Sequence, residues 1–220
     1  MAAPLAFLLD VDNTLIENDR VKEDMERRTR EFLGEEKARR FWEIYEEVRR
    51  ECDFVDFPET LERFAEEFPA EPRFGDVAGR LLCYPYREYL YPGALDAIAH
   101  LRTLGEVAIV SDGDRVFQPS KIARSGLAEA VDYRVLVTTH KEEEFAEVER
   151  RFPADRYVAV DDKPSILEAL KERLGDRIFT VHVRQGRYAQ DSMKYPDSAL
   201  QLDSIGELTK LDLAAFATAG

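Results

Sequence analysis

The chain has 220 residues, of which 45% are hydrophobic and 35% charged, with a formal net charge of −14 at pH 7. That length suits one large domain or a core domain carrying a sizeable insertion, and the apolar fraction is that of an ordinary globular protein. The acidic balance argues against nucleic acid or an anionic membrane as the main partner; a small anionic substrate stays open, because a divalent metal and a few local cations can reverse the field inside one pocket.

The first element is the apolar run at residues 4–9, which lacks a basic flank and leads directly into Asp10, so it reads as a buried strand rather than a signal sequence. From about residue 17 to 88 the texture is helical, with no convincing strand. Ala38, Phe41, Trp42, Tyr45 and Val48 recur at three- and four-residue steps on one helix face, a stripe that reads as core packing rather than an aromatic binding box. Leu61, Phe64, Ala65 and Phe68 repeat the pattern, with Pro58 suited to a first helical turn and Pro69 to a stop. Val77, Ala78, Leu81 and Leu82 give one more helix, ending before Pro85.

After Tyr91-Pro92-Gly93 helices and strands alternate. Helices are expected over residues 94–104, 116–125 and 164–174, with a charged one starting at Lys141; strands are expected over 107–110, 134–138, 157–160 and 178–183. A short pair, residues 199–202 and 205–208, closes the core. This order predicts an α/β fold with a parallel-sheet, Rossmann-like core, helices on both faces, and an all-helical insertion after the first strand. The boundaries read as residues 1–16 and 90–220 for the core and 17–89 for the inserted helical domain. Two cysteines, Cys52 and Cys83, cannot build a disulfide framework and fit a reducing compartment. No apolar run approaches the ~20 residues needed to span a bilayer. A cytoplasmic protein with no membrane partner is expected, and its oligomeric state is open.

Every reactive candidate falls at the carboxyl end of an expected strand: Asp10 and Asp12 after the first, Ser111 and Asp112 after the second, Lys141 after the third, Asp161 and Asp162 after the fourth. In a parallel sheet those ends converge on one edge, so four separate signals predict one site. Crowded carboxylates repel and are costly to desolvate; they persist where a cation offsets the charge, or where one acid must hold a proton for transfer. Lys121 is a rival to Lys141, which is preferred because it follows a strand end directly whereas Lys121 lies inside a helix. His182, in a strand, reads as structural, and His140 is a candidate substrate contact.

On these residues the chain resembles the haloacid dehalogenase-like hydrolase superfamily, whose signature is an Asp-x-Asp-x-Thr strand end, then a Ser or Thr, a Lys and an acidic pair. Here they are Asp10-Val11-Asp12-Asn13-Thr14, Ser111, Lys141 and Asp161-Asp162. The resemblance covers roughly residues 5–16 and 91–210. The insert matches the family's helical caps in position and character, though in no sequence motif, and Glu142 stands where the family frequently has a proline after its lysine.

The resemblance implies a Mg²⁺-dependent phosphatase acting on a small phosphorylated metabolite through an aspartyl-phosphate. Asp10 is then the nucleophile, and Asp12 the acid that protonates the leaving oxygen and the base that later activates water. Mg²⁺ is implied to sit among the Asp10 carboxylate, the Asp12 main-chain carbonyl, Asp161 and Asp162. Ser111, Asp112, Thr14 and Lys141 surround the transferred phosphate, with Thr14 also orienting the two carboxylates.

Asp12 does most to choose the reaction, since dehalogenases of this superfamily displace halide from carbon and lack an acid at that position. A phosphomutase on the same core is the main alternative, with a 2-haloacid dehalogenase or a non-catalytic binding protein behind it. A signalling receiver domain is excluded, because the third strand ends Val137-Thr138-Thr139 without an acid. Arg20, Lys22, Arg49, Arg50 and Arg87 are candidate anion contacts on the insert, although each alone reads as a surface charge.

Overall fold

The computed structural model describes residues 3–52, 54–190 and 199–216. Among the described residues six strands form one sheet: β1 (Ala3–Leu9), β2 (Glu106–Asp112), β3 (Val135–Thr138), β4 (Ala154–Asp161), β5 (Ile178–Val183) and β6 (Ala199–Leu202). Their order is β3-β2-β1-β4-β5-β6, and every neighbouring pair is parallel. The continuous apolar runs of β1, β2 and β4 follow from burial of both sheet faces, which parallel sheets require.

Alternation along the strands sends side chains into two separate cores. Phe7, Leu9, Ile109, Val158, Val160 and Val181 face one layer, and Ala6, Leu8, Val110, Tyr157 and Ala159 face the other. The second face is covered by α8 (Phe145–Arg151) and α9 (Pro164–Leu174) through Phe145, Val148, Leu167 and Leu170. The first face takes α5 (Ala94–Leu101), α6 (Phe117–Arg124) and the short α7 (Leu127–Ala130). The same core runs on without a break into four helices placed between β1 and β2: α1 (Asn18–Leu33), α2 (Glu35–Cys52), α3 (Phe57–Glu67) and α4 (Phe74–Leu82). In α3 the Asp56 carboxylate caps the helix by accepting from Glu59 N at 3.0 Å, with Pro58 in the first turn as expected. No helix among the described residues is long and apolar enough to cross a membrane.

Two expectations change. The segment at Lys141 is a turn, and the helix begins only at Phe145; Glu143 N and Glu144 N both close onto His140 O at 3.0 Å, while the Lys141 N–H goes to the Asp112 carboxylate at 2.8 Å. The short closing pair is a sixth parallel strand followed by a 3-10 turn (Ile205–Lys210), so the sheet is one strand wider than the sequence alone indicated.

Candidate active site

β1 is the central strand, with β2 on one side and β4 on the other, so chain order reverses at its carboxyl end and a crevice opens there. Register sets the depth of each group. Leu9 lies opposite Ile109 and Val160, and Asp10 N donates to Val160 O at 3.0 Å, which places Asp10 level with the end of β4. The chain then turns off the strand through hydrogen bonds from Leu15 N and Ile16 N to Val11 O, both 2.9 Å, with Asn13 at φ 61°. Asn13 exchanges hydrogen bonds with Asp19, each 3.1 Å, and Gln185 Nε2 holds Thr14 O at 3.1 Å. The turn bearing Asp12 is thereby fixed from both the insert and the far end of the sheet.

Lys141 occupies the centre of the cluster, 5% exposed, with Nζ at 2.5 Å from Asp10 Oδ1 and 2.6 Å from Asp161 Oδ2. Burial works against its charge, but Asp10, Asp161 and Asp112 outweigh it and hold the amine well above its ordinary pKa. Asp161 has both oxygens engaged, the second accepting from Lys163 N at 2.9 Å. Burial, together with the Asp10 charge, pushes its carboxyl up to about 6 against the pull of Lys141 and Lys163. Asp162 differs. It is fully buried, neither carboxylate oxygen has a hydrogen-bond partner among the described residues, and burial followed by Asp161 and Asp10 drives its pKa well up. One oxygen each from Asp10, Asp161 and Asp162 lie within 4.8 Å of one another. An all-oxygen cluster with an orphaned buried carboxylate fits a hard divalent cation such as Mg²⁺.

Asp12 takes a different set of partners. Its Oδ1 accepts from Lys121 Nζ at 2.7 Å, and its Oδ2 from Gln118 Nε2 at 3.3 Å. Gln118 Nε2 also donates to Ser111 Oγ at 2.9 Å, tying β2 to the turn after β1. Asp12, Asp112, Gly113, Asp162 and Lys163 line one wall of a cavity of about 380 Å³; Lys22, Trp42, Tyr45, Arg49 and Phe57 of the inserted helices line the other.

Lys141 thus meets Asp10 and Asp161, and Asp162 joins the same cluster, as the sequence spacing anticipated. Lys121, the rival set aside in its favour, also faces the site, so the two lysines serve different carboxylates. Asp112 lines the cavity, and its Oδ1 accepts from both Thr138 Oγ1 at 2.9 Å and Lys141 N at 2.8 Å. Thr14 is fully buried, its hydroxyl has no hydrogen-bond partner among the described residues, and it is not among the described residues lining the cavity. Among the described residues its hydroxyl makes no hydrogen bond to Asp10 or Asp12. His140 lines the cavity, while His182 lies under the site with Nε2 3.1 Å from Asp162 O. The aromatic stripe divides: Phe41 is core, stacked edge-on against Phe64, whereas Trp42 and Tyr45 reach the cavity. Of the cations on the insert, Lys22 and Arg49 line the cavity; Arg20, Arg50 and Arg87 are not among the described lining residues. Gln118, Lys163 and Arg187 also line it and were not anticipated. For Lys163 the signal was its place directly after the acidic pair; for Gln118 it was its three-residue spacing from Lys121 on one helix face.

A doubly wound parallel sheet with carboxylates, lysines and a serine gathered at its switch point defines the class of α/β proteins that work on a ligand held in that crevice. A sequence model of the haloacid dehalogenase-like hydrolase family matches residues 4–181, and the chain belongs to that family. A haloacid dehalogenase-like hydrolase from Burkholderia xenovorans is 42% identical, with a TM-score of 0.89 over 95% of this chain and 99% of that one. More distant folds include CbbY from Rhodobacter sphaeroides in complex with phosphate (21% identity, TM-score 0.60, 96% and 98% covered) and an L-2-haloacid dehalogenase (15%, 0.62, 93% and 97%). Among curated proteins, none matches this chain.

Proposed function

We propose that this hydrolase is a Mg²⁺-dependent, cytoplasmic phosphatase of small phosphorylated metabolites, with residues 17–89 serving as a helical cap domain over the site. The observation that carries the reading is Asp12. It sits two residues past Asp10, lines the cavity and has both oxygens held by side chains of α6. Displacing halide from carbon leaves a stable anion and needs no proton donor there; expelling an alkoxide from phosphorus does.

In this mechanism Asp10 Oδ attacks phosphorus, forming an aspartyl-phosphate as the bond to the ester oxygen breaks. The electron pair stays on the departing oxygen, which takes the Asp12 proton. Asp12, now a carboxylate, removes a proton from water as that water attacks phosphorus, which releases orthophosphate and restores Asp10. Lys141, already against Asp10, offsets negative charge on the nucleophile and on the phosphoryl oxygens. Ser111 and main-chain N–H groups at the end of β2 donate to those oxygens; a contribution from Asp112 comes through its main chain, since an ionised carboxylate has no proton to donate to an anion. Asp10, Asp162 and the Asp12 carbonyl would hold the metal, with Asp161 acting in support because both its oxygens already have donors. When bound, the ion supplies the positive charge that lets an anionic nucleophile approach an anionic ester. The helices of the insert exclude bulk water from the cavity they share with the core.

The test is a panel of phosphate monoesters and 2-haloacids incubated with the protein, with and without Mg²⁺. Metal-dependent release of free phosphate, abolished in Asp10→Asn, is expected. Halide release would favour dehalogenation, and transfer of phosphate between positions of a sugar without its release would favour a mutase.

A further inference from the structure

We propose that Lys121, with Gln118 beside it on α6, is the positioning residue for the acid–base carboxylate of Asp12, and that Asn18 ties this clamp to the first helix of the insert. The proposal rests on the phosphatase reading and assigns a device within it. Lys121 is 8% exposed, and its Nζ lies 2.7 Å from Asp12 Oδ1, 3.1 Å from Asn18 Oδ1 and 5.8 Å from the centre of the Tyr86 ring. Gln118, one turn earlier on the same face, takes the other carboxylate oxygen.

The arrangement is costly unless the direction of Asp12 matters. A lysine loses hydration when buried and survives there as a cation only if it is paired. The Asp12 side chain is 31% exposed and borders the cavity, so water alone would solvate it. With one donor on each oxygen, rotation of the carboxyl group is stopped, and it can neither swing onto the Asp10–Asp161–Asp162 cluster as a fourth charge nor drift toward solvent. Lys141 cannot do this work, because Asp10 and Asp161 already hold its Nζ. Asn18 is the first residue of α1, so movement of the insert pulls on the same ammonium that aims the acid.

A misdirected acid hurts most where the leaving oxygen most needs its proton. In the presence of Mg²⁺, Lys121→Met should lose about 100-fold in kcat/KM on phenyl phosphate and less than about 10-fold on 2,4-dinitrophenyl phosphate, whose leaving group departs unaided; kcat/KM is the readout because it stops at leaving-group departure and omits the water step that both esters share. KM for neither ester should rise more than about threefold above wild type. Lys121→Gln, which keeps a neutral donor, should show the same selectivity in weaker form and serves if the methionine variant does not fold. Equal loss on both esters with a raised KM would make Lys121 a phosphate contact; equal loss at unchanged KM, or no loss, would leave it structural or idle. Each of these overturns the proposal. A wild-type protein that cleaves neither ester would instead overturn the phosphatase reading, and the clamp with it.

Discussion

Asp162 offers the sharpest test of what the acidic cluster is for. Its carboxylate is fully buried with no partner on either oxygen among the described residues, and Asp10 and Asp161 present oxygens within 4.8 Å. Two like charges at that separation repel by roughly 3–4 kcal/mol at an effective dielectric constant of about 20. The pKa of Asp162 is raised, so the folded state takes up a proton that the unfolded chain releases. The group therefore costs stability from the unfolded value near 3.9 upward, and the cost grows with pH until the folded value is passed. A bound divalent cation reverses that sign. In chelator at about pH 7.5, Asp162→Asn should be at least as stable as wild type and more stable by up to about 3 kcal/mol, since a neutral amide, even one left without partners, replaces a carboxyl that must take up a proton or stay repelled. Magnesium at about 100 times its dissociation constant should stabilise wild type by about 2.7 kcal/mol, a rise in Tm of roughly 5–11 °C for a chain of this size, and should leave the variant nearly unmoved. Thermal melts followed by circular dichroism, in chelator and in MgCl₂, measure both. A variant several kcal/mol less stable in chelator, or one that keeps the full magnesium increment, would refute the reasoning.

Lys141→Met should leave Asp10 and Asp161 buried without their cation, costing about 3–5 kcal/mol in denaturant unfolding and about 10²–10³ in phosphate release; wild-type values for both would contradict its central place. In the insert, the Asp24 carboxylate accepts from Tyr84 Oη at 2.5 Å, Arg28 Nε at 2.6 Å, Tyr89 Oη at 3.0 Å and Arg27. Burial opposes its charge, but these donors outweigh it and hold the pKa well below the ordinary carboxylate range. Its stabilisation is complete above the unfolded value and lost as pH falls toward the folded one, so Asp24→Asn should cost about 1.5–3 kcal/mol at neutral pH, with the gap from wild type narrowing below about pH 4. A gap independent of pH in urea titrations would argue against it. Gly186 sits at φ 62°, and a Cβ there would stand 2.4 Å from Asn13 Cγ in the turn that carries Asp12. Gly186→Ala should lose more than about 1 kcal/mol and lower kcat as that turn shifts, whereas a variant with unchanged melting and turnover would show that the turn tolerates displacement.

Much of the site was legible because β1 is a central parallel strand: an apolar run buried on both faces can end only where the sheet does, and Asp10 marks that edge. The same reasoning located Lys141 even though the helix expected there is a turn, because position at a strand end mattered and local helicity did not. Lys121 and Gln118 were harder. Sequence shows that they share a helix face; which way that face turns depends on how α6 packs on β2 and the insert. Trp42 and Tyr45 illustrate a related limit, since an apolar stripe looks the same whether it meets other side chains or a cavity wall. The division between Asp161 and Asp162 was hidden for another reason: adjacent carboxylates acquire different fates only through partners, Lys141 and Lys163 N, that arrive from the folded surroundings.

The central claim is that Asp10 forms a bond to phosphorus. Acid quenching of the protein turning over a ³²P-labelled aryl phosphate in Mg²⁺, followed by peptide mapping, tests it directly. The account predicts an acid-stable, hydroxylamine-labile label on the peptide containing Asp10, absent in Asp10→Asn. Steady turnover with no label there, or undiminished turnover in that variant, would contradict it.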